Sequence, residues 1–190
     1  MASFDLLDRS AGEFDKRLRL VTGAQRELPT PCGEFNVRDL VTHQIQGMRG
    51  FTLLLNGQPR EGAEAFEGGD IGSDDWVGVF NDEYQTMRDA FAAPGALERT
   101  VTHPIMGDIP ASMLFDIRMN ELAVHGWDLA RAIGADETLD PEVVASIWAF
   151  GAPMAELLPS LGIFGSGGSG TVPESAALQT RLLDMLGRRP

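Results

Sequence analysis

Ala111-Ser-Met-Leu-Phe-Asp-Ile-Arg-Met-Asn-Glu-Leu-Ala-Val-His-Gly-Trp-Asp-Leu-Ala-Arg-Ala-Ile133 is the stretch whose reading decides the fold. It opens after Pro110, stops at Gly134, and reads as one long helix. Leu114, Ile117, Val124 and Ala132 make one face apolar, so that face turns towards a core. Glu121 and His125 lie on the same face. Four residues on a helix return to nearly the same direction, about 6 Å further along the axis, so the two side chains can aim at a common point.

Working outward, the same periodicity predicts further helices. Phe4, Leu7, Ala11, Phe14, Leu18 and Val21 form a stripe running to about Leu28, before Pro29, Pro31 and Gly33. Asn36, with Asp39 three residues on, caps a second helix whose face carries Leu40, His43, Gly47, Phe51 and Leu54. The glycine-rich and acidic residues 57–72 read as an exposed loop. A third helix starts at Ser73 and runs to about Ala92, with Trp76, Phe80 and Met87 on its stripe. Residues 99–109 are too short and irregular for a helix and suggest an extended loop or short hairpin. Asp140-Pro141 opens a fifth helix reaching about Leu158. The expected fold class is therefore all-α, a four-helix core with a helical C-terminal extension. Residues 1–158 form the bundle, 159–172 a glycine-rich linker, and 173–190 a last helix, from about Glu174 to Leu186, docking on the bundle.

The 190 residues suit one domain with a tail. A net charge of −13 repels phosphate backbones and anionic membranes, which argues against both as partners. A single cysteine, Cys32, allows no internal disulfide and fits a reducing cytoplasm. No signal peptide and no apolar run of about 20 residues is visible, so a cytoplasmic protein is expected.

An inward Glu121 needs a cation or a donor to offset its desolvation, and a metal would supply it. Histidine with carboxylate is a usual zinc set. Two other histidines exist. If the second helix packs against the fourth, His43 completes a set of two histidines and one glutamate with an open position; His103 lies in the irregular segment. The same spacing also fits a simple Glu–His pair and a satisfied core histidine. Asp128 could orient His125 from behind or pair with Arg131. Arg49 and Arg118 could hold an anionic substrate, with surface salt bridges as the favoured reading. Cys32, in a proline-rich turn with no histidine nearby in sequence, reads as a buried structural thiol. Trp76 and Trp127 read as core or pocket wall.

Two stretches carry a family likeness. Leu28-Pro-Thr-Pro-Cys-Gly-Glu-Phe-Asn-Val-Arg-Asp-Leu-Val-Thr-His43 and Asn120-Glu-Leu-Ala-Val-His-Gly-Trp-Asp-Leu-Ala-Arg-Ala132 resemble the DinB-like metal-binding bundles related to the N-terminal domain of mycothiol-dependent maleylpyruvate isomerase. Similarity extends to Ala93–Val101 and to the terminal Gly187-Arg-Arg-Pro190. The resemblance implies a divalent metal held by His43, Glu121 and His125, with Zn2+ first and Ni2+ or Fe2+ as alternatives. It also implies mycothiol or a similar low-molecular-weight thiol as cosubstrate, a small electrophilic substrate, and a thiol transfer or isomerisation in a monomer or homodimer. Phe35 stands where the family usually has tryptophan. The isomerase also carries an α/β domain that contributes basic residues to its substrate site, and residues 150–190 are too short and glycine-rich to be that domain. A thiol-independent metal hydrolase or lyase, and a non-enzymatic metal- or ligand-binding bundle, are the competing expectations.

Overall fold

A computed structural model describes residues 3–33, 35–58, 71–156 and 167–190. In chain order the elements are α1 (Phe4–Leu18), α2 (Val37–Leu55), α3 (Trp76–Ala92), β1 (Thr100–His103), β2 (Gly107–Pro110), α4 (Ala111–Ile133), α5 (Pro141–Gly151) and α6 (Leu178–Met185). Short 3-10 turns occupy Gly23–Gln25 and Ala152–Met154. Helices α1 to α4 make the bundle: α4 packs along α1 and α2, and α2 also packs on α3. Helix α5 lies against α1 and α4, and α6 packs on α5.

The local signals act where physical chemistry puts them. Asn36 Oδ1 accepts from Asp39 N at 2.9 Å while Asp39 Oδ2 accepts from Asn36 N at 3.2 Å, closing a reciprocal cap on α2. Asp140 Oδ1 accepts from the backbone of Glu142 and Val143, with Pro141 at the first helical position of α5. Gly134 ends α4 in the left-handed conformation at φ 71°, which a residue with a Cβ adopts only under strain.

The core runs the length of the bundle and includes Leu7, Phe14, Leu40, Ile45, Met48, Phe80, Phe91, Leu114, Phe115 and Trp127. Phe115 anchors it, with edge-on contacts to Phe4 and Phe91 at 5.0 and 5.2 Å between ring centres. Helix α4 buries residues on almost every side, from Leu114 through Ala130, because α1, α2 and α5 surround it. Trp76 and Trp127 are both core residues.

Four expectations need correction or sharpening. Helix α1 stops at Leu18 rather than near Leu28: Gln25 Oε1 draws the Thr22 backbone N–H at 2.9 Å into a separate 3-10 turn. The last helix begins at Leu178 rather than Glu174, after a turn closed by Ala176 N donating to Pro173 O. The irregular segment is a hairpin, with Thr100 opposite Pro110 and His103 opposite Gly107, whose φ of 71° makes the tight reversal possible. The strand β2 feeds straight into α4. Helix α5 ends at Gly151 and passes into the Ala152–Met154 turn instead of running to about Leu158. Residues 59–70 of the expected loop and 157–166, at the expected helix end and in the expected linker, lie outside the described residues. Among the described residues no helix is long and apolar enough to cross a membrane.

Candidate metal centre

Helices α2 and α4 bring His43, Glu121 and His125 together. Glu121 Oε2 lies 3.0 Å from His43 Nε2 and 3.2 Å from His125 Nε2. All three ligand atoms fall within 4.8 Å of one another. Two ligand atoms each about 2.0 Å from a tetrahedral zinc stand roughly 3.3 Å apart, so the observed spacings are close to those of a zinc coordination edge. The donor set, two imidazole nitrogens and a carboxylate oxygen, therefore fits a divalent cation. The cluster opens on one side: the His43 side chain is 42% exposed, whereas that of His125 is 7% exposed.

Behind His125 stands a second layer. His125 Nδ1 is 2.9 Å from Asp128 Oδ2, and Asp128 is fully buried. A carboxylate there keeps the proton on Nδ1 and turns the Nε2 lone pair towards Glu121 and His43. Arg188 in turn holds both oxygens of Asp128, Nη2 at 2.7 Å and Nε at 3.2 Å. Arg131 does not take part: it pairs with Glu137 at 2.6 Å and lies over Trp127. Arg188 was missed as a functional residue in the sequence because it lies sixty residues from Asp128; the signal that touched it was the likeness of the terminal Gly187-Arg-Arg-Pro190.

Electrostatics follow from this packing. Burial opposes ionisation of Glu121, yet the charge and hydrogen bond of His125, and then those of His43, hold its carboxyl well below the usual range. Burial likewise disfavours the His125 imidazolium, but Glu121, Asp128 and Cys32 together raise its pKa well above the ordinary value. Asp128 is also held low by His125 and Arg188 against the cost of burial. Glu121 and His125 thus favour each other's charged forms.

The turn before α2 supplies two neighbours. Thr30 Oγ1 accepts from Cys32 N and donates to Phe35 O, and Pro29 lies antiparallel to Asn36. Phe35 is thereby placed 5.4 Å from the His43 ring, as a packing wall. Cys32 is half-buried, its Sγ within 4.8 Å of ligand atoms of His125 and Asp128. The thiol expected to be buried, with no histidine nearby in sequence, is thus only partly buried and has His125 beside it in space. His103 stays apart from the triad: its Nδ1 accepts from the backbone of Ile105 and Met106, and its ring meets Phe51. Arg49 bridges to Glu83 on α3 at 2.7 Å, the salt-bridge reading. Arg118 departs from that reading, being 1% exposed in the α2–α4 interface.

Comparison with known proteins agrees with this architecture. The chain is 30% identical over 135 residues to two uncharacterized proteins of Mycobacterium tuberculosis, from strains CDC 1551 / Oshkosh and ATCC 25618 / H37Rv, covering 71% of this chain and 69% of each relative. The crystal structure of the mycothiol-dependent maleylpyruvate isomerase superposes with a TM-score of 0.63 at 16% identity, over 83% of this chain and 70% of that one. A histidine-to-alanine mutant of the isomerase gives 0.61 at 14% identity, over 81% and 67%. These likenesses establish a shared DinB-like helical fold. The sequence profile described as the mycothiol maleylpyruvate isomerase N-terminal domain matches residues 7–130, which include every member of the triad, and the chain belongs to that family.

Proposed function

We propose that this protein is a metal-dependent enzyme in which His43 Nε2, Glu121 Oε2 and His125 Nε2 hold one divalent cation, Zn2+ in the first place. A low-molecular-weight thiol of the mycothiol type occupies the open position and adds to an electrophilic small molecule, giving thiol transfer or, when the thiol is later expelled, isomerisation. The observation that carries the reading is the meeting of three ligand atoms from two helices around Glu121 Oε2, with the far nitrogen of one imidazole already committed to a buried carboxylate. When bound, a divalent cation supplies Lewis acidity that favours the thiolate over the thiol.

The chain's own residues prepare the site for this. Asp128 fixes the tautomer of His125, and Arg188 fixes Asp128. Glu121 cancels part of the cation's charge and leaves the centre net positive, which suits an anionic sulfur. The half-exposed His43 marks the side from which thiol and electrophile enter. No step assigns proton transfer to the three ligands; they hold and orient.

Metal analysis of the purified protein, followed by assay of the zinc-loaded form with mycothiol and a chromogenic electrophile, tests the proposal. One metal per chain and a rate that needs both metal and thiol are expected. Turnover of ester, amide or phosphate substrates without thiol would favour hydrolysis at the same centre instead. Absence of metal uptake would end the reading.

A further inference from the structure

Arg118 lies on α4 one turn before Glu121, and its guanidinium sits 5.8 Å from the Phe51 ring centre. Its Nη2 donates to Gln44 Oε1, but among the described residues its Nε has no hydrogen-bond partner, and neither does Gln44 Nε2. The other buried arginines among the described residues are answered. Arg17 donates to the carbonyls of Asp136 and Thr138 at 3.0 and 2.7 Å, and Arg188 has both oxygens of Asp128. Arg118 meets only a neutral amide, with Glu121 acting on it through space.

A buried cation without a bonded counter-ion is costly, and burial brings its pKa down to about 10. That still leaves it charged at neutral pH. The chain nonetheless makes room for it: a Cβ at Gly47 would stand 2.8 Å from Arg118 Nη1, so α2 carries no side chain where the guanidinium rests. Both orphaned atoms are donors, which complement a negative ligand rather than a second cation.

The charge sum points the same way. A divalent ion brings two positive charges, of which Glu121 cancels one. Asp128 and Arg188 cancel each other. Arg118 adds another positive charge one helical turn before Glu121, its Nη1 resting against Gly47 one turn after His43, and no described side chain hydrogen-bonded to it offsets that charge.

We propose that Arg118 makes the open coordination position selective for a small anion, balancing the ligand's charge beside the metal while weakening the hold on the metal itself. The inference rests on reading His43, Glu121 and His125 as the metal centre, and it identifies the thiol's anionic form as the species that the protein recognises.

These two effects have opposite signs, which separates them from a packing role. The wild-type protein, Arg118→Met and Arg118→Lys are loaded with Co2+ and titrated with azide, 2-mercaptoethanol and neutral imidazole, following the visible spectrum; a competing chelator gives the Co2+ affinity. Arg118→Met is expected to bind Co2+ several-fold tighter and the two anionic ligands about tenfold more weakly, the scale of a buried charge acting across a protein interior of effective dielectric about 20. Imidazole affinity and the Arg118→Lys variant should stay near wild type. Arg118→Gln serves as the neutral variant if the methionine form does not fold. Loss of Co2+ and azide affinity together, or unchanged azide affinity, overturns the inference alone. Wild-type protein that takes up no Co2+ overturns the metal-centre reading and this inference with it.

Discussion

Arg188→Met removes the partner of a carboxylate that has no contact with solvent. Asp128 is 0% exposed and receives two bonds from the Arg188 fork, at 2.7 and 3.2 Å. Breaking a buried pair by deleting one member costs about 3–5 kcal/mol, because the remaining charge is left uncompensated. His125 Nδ1 still reaches Asp128 at 2.9 Å, and methionine refills part of the volume, so the lower end, about 3 kcal/mol, is expected. For a domain of this size that corresponds to a fall of roughly 6–12 °C in Tm. The same loss loosens the support of His125, and removal of such an outer partner weakens metal binding by roughly 10–100-fold. Urea unfolding of the metal-free protein measures the first effect, and zinc competition with a chromophoric chelator the second. Adding Asp128→Asn removes the stranded charge, so the double variant should be less destabilised than the two single losses summed. A stability loss under about 1 kcal/mol, the level of an exposed pair, together with unchanged zinc affinity, would refute the linkage from the C-terminus to the metal centre.

Further outcomes follow from the same geometry. His43→Ala and Glu121→Gln should each abolish stoichiometric metal uptake as read by elemental analysis, while His103→Ala, outside the triad, should retain it. Metal affinity should rise with pH, because the raised pKa of His125 means that a proton must leave Nε2 before a cation is bound; competition titrations at several pH values would show up to about a tenfold gain per unit below that pKa. In the metal-free protein the sign differs: the raised His125 pKa contributes stability that is complete below about pH 6.5 and is lost as pH rises through the folded value. The lowered Glu121 and Asp128 contribute stability present above about pH 4 and lost as pH falls through their folded values, so urea midpoints should decline on both sides. Gly47→Ala should change stability by less than about 1 kcal/mol in thermal melting, because the flexible end of Arg118 can move off a new Cβ and alanine is the better helix former by roughly 1 kcal/mol.

The residues of α4 show how far a sequence alone reaches. A helix repeats every 3.6 residues, so the apolar stripe, the shared face of Glu121 and His125, and the stops at Pro110 and Gly134 are all local properties that can be read in order. The caps at Asn36 and Asp140 are local in the same way. Helix α1 shows where locality misleads, since a stripe continuing past Leu18 was interrupted by a side-chain bond from Gln25 that no periodicity displays. The distant partners were decided by packing. His43 meets Glu121 only because α2 lies against α4, and Cys32 reaches His125 only because the chain ahead of α2 returns, with Pro29 beside Asn36. Of its two nearby candidates in sequence Asp128 meets His125 and not Arg131, and its second partner, Arg188, stands sixty residues away because α6 returns that part of the chain to the core. Arg118 looked like a surface charge and became an interior one, for exposure depends on which helices surround a position and not on the residue that fills it.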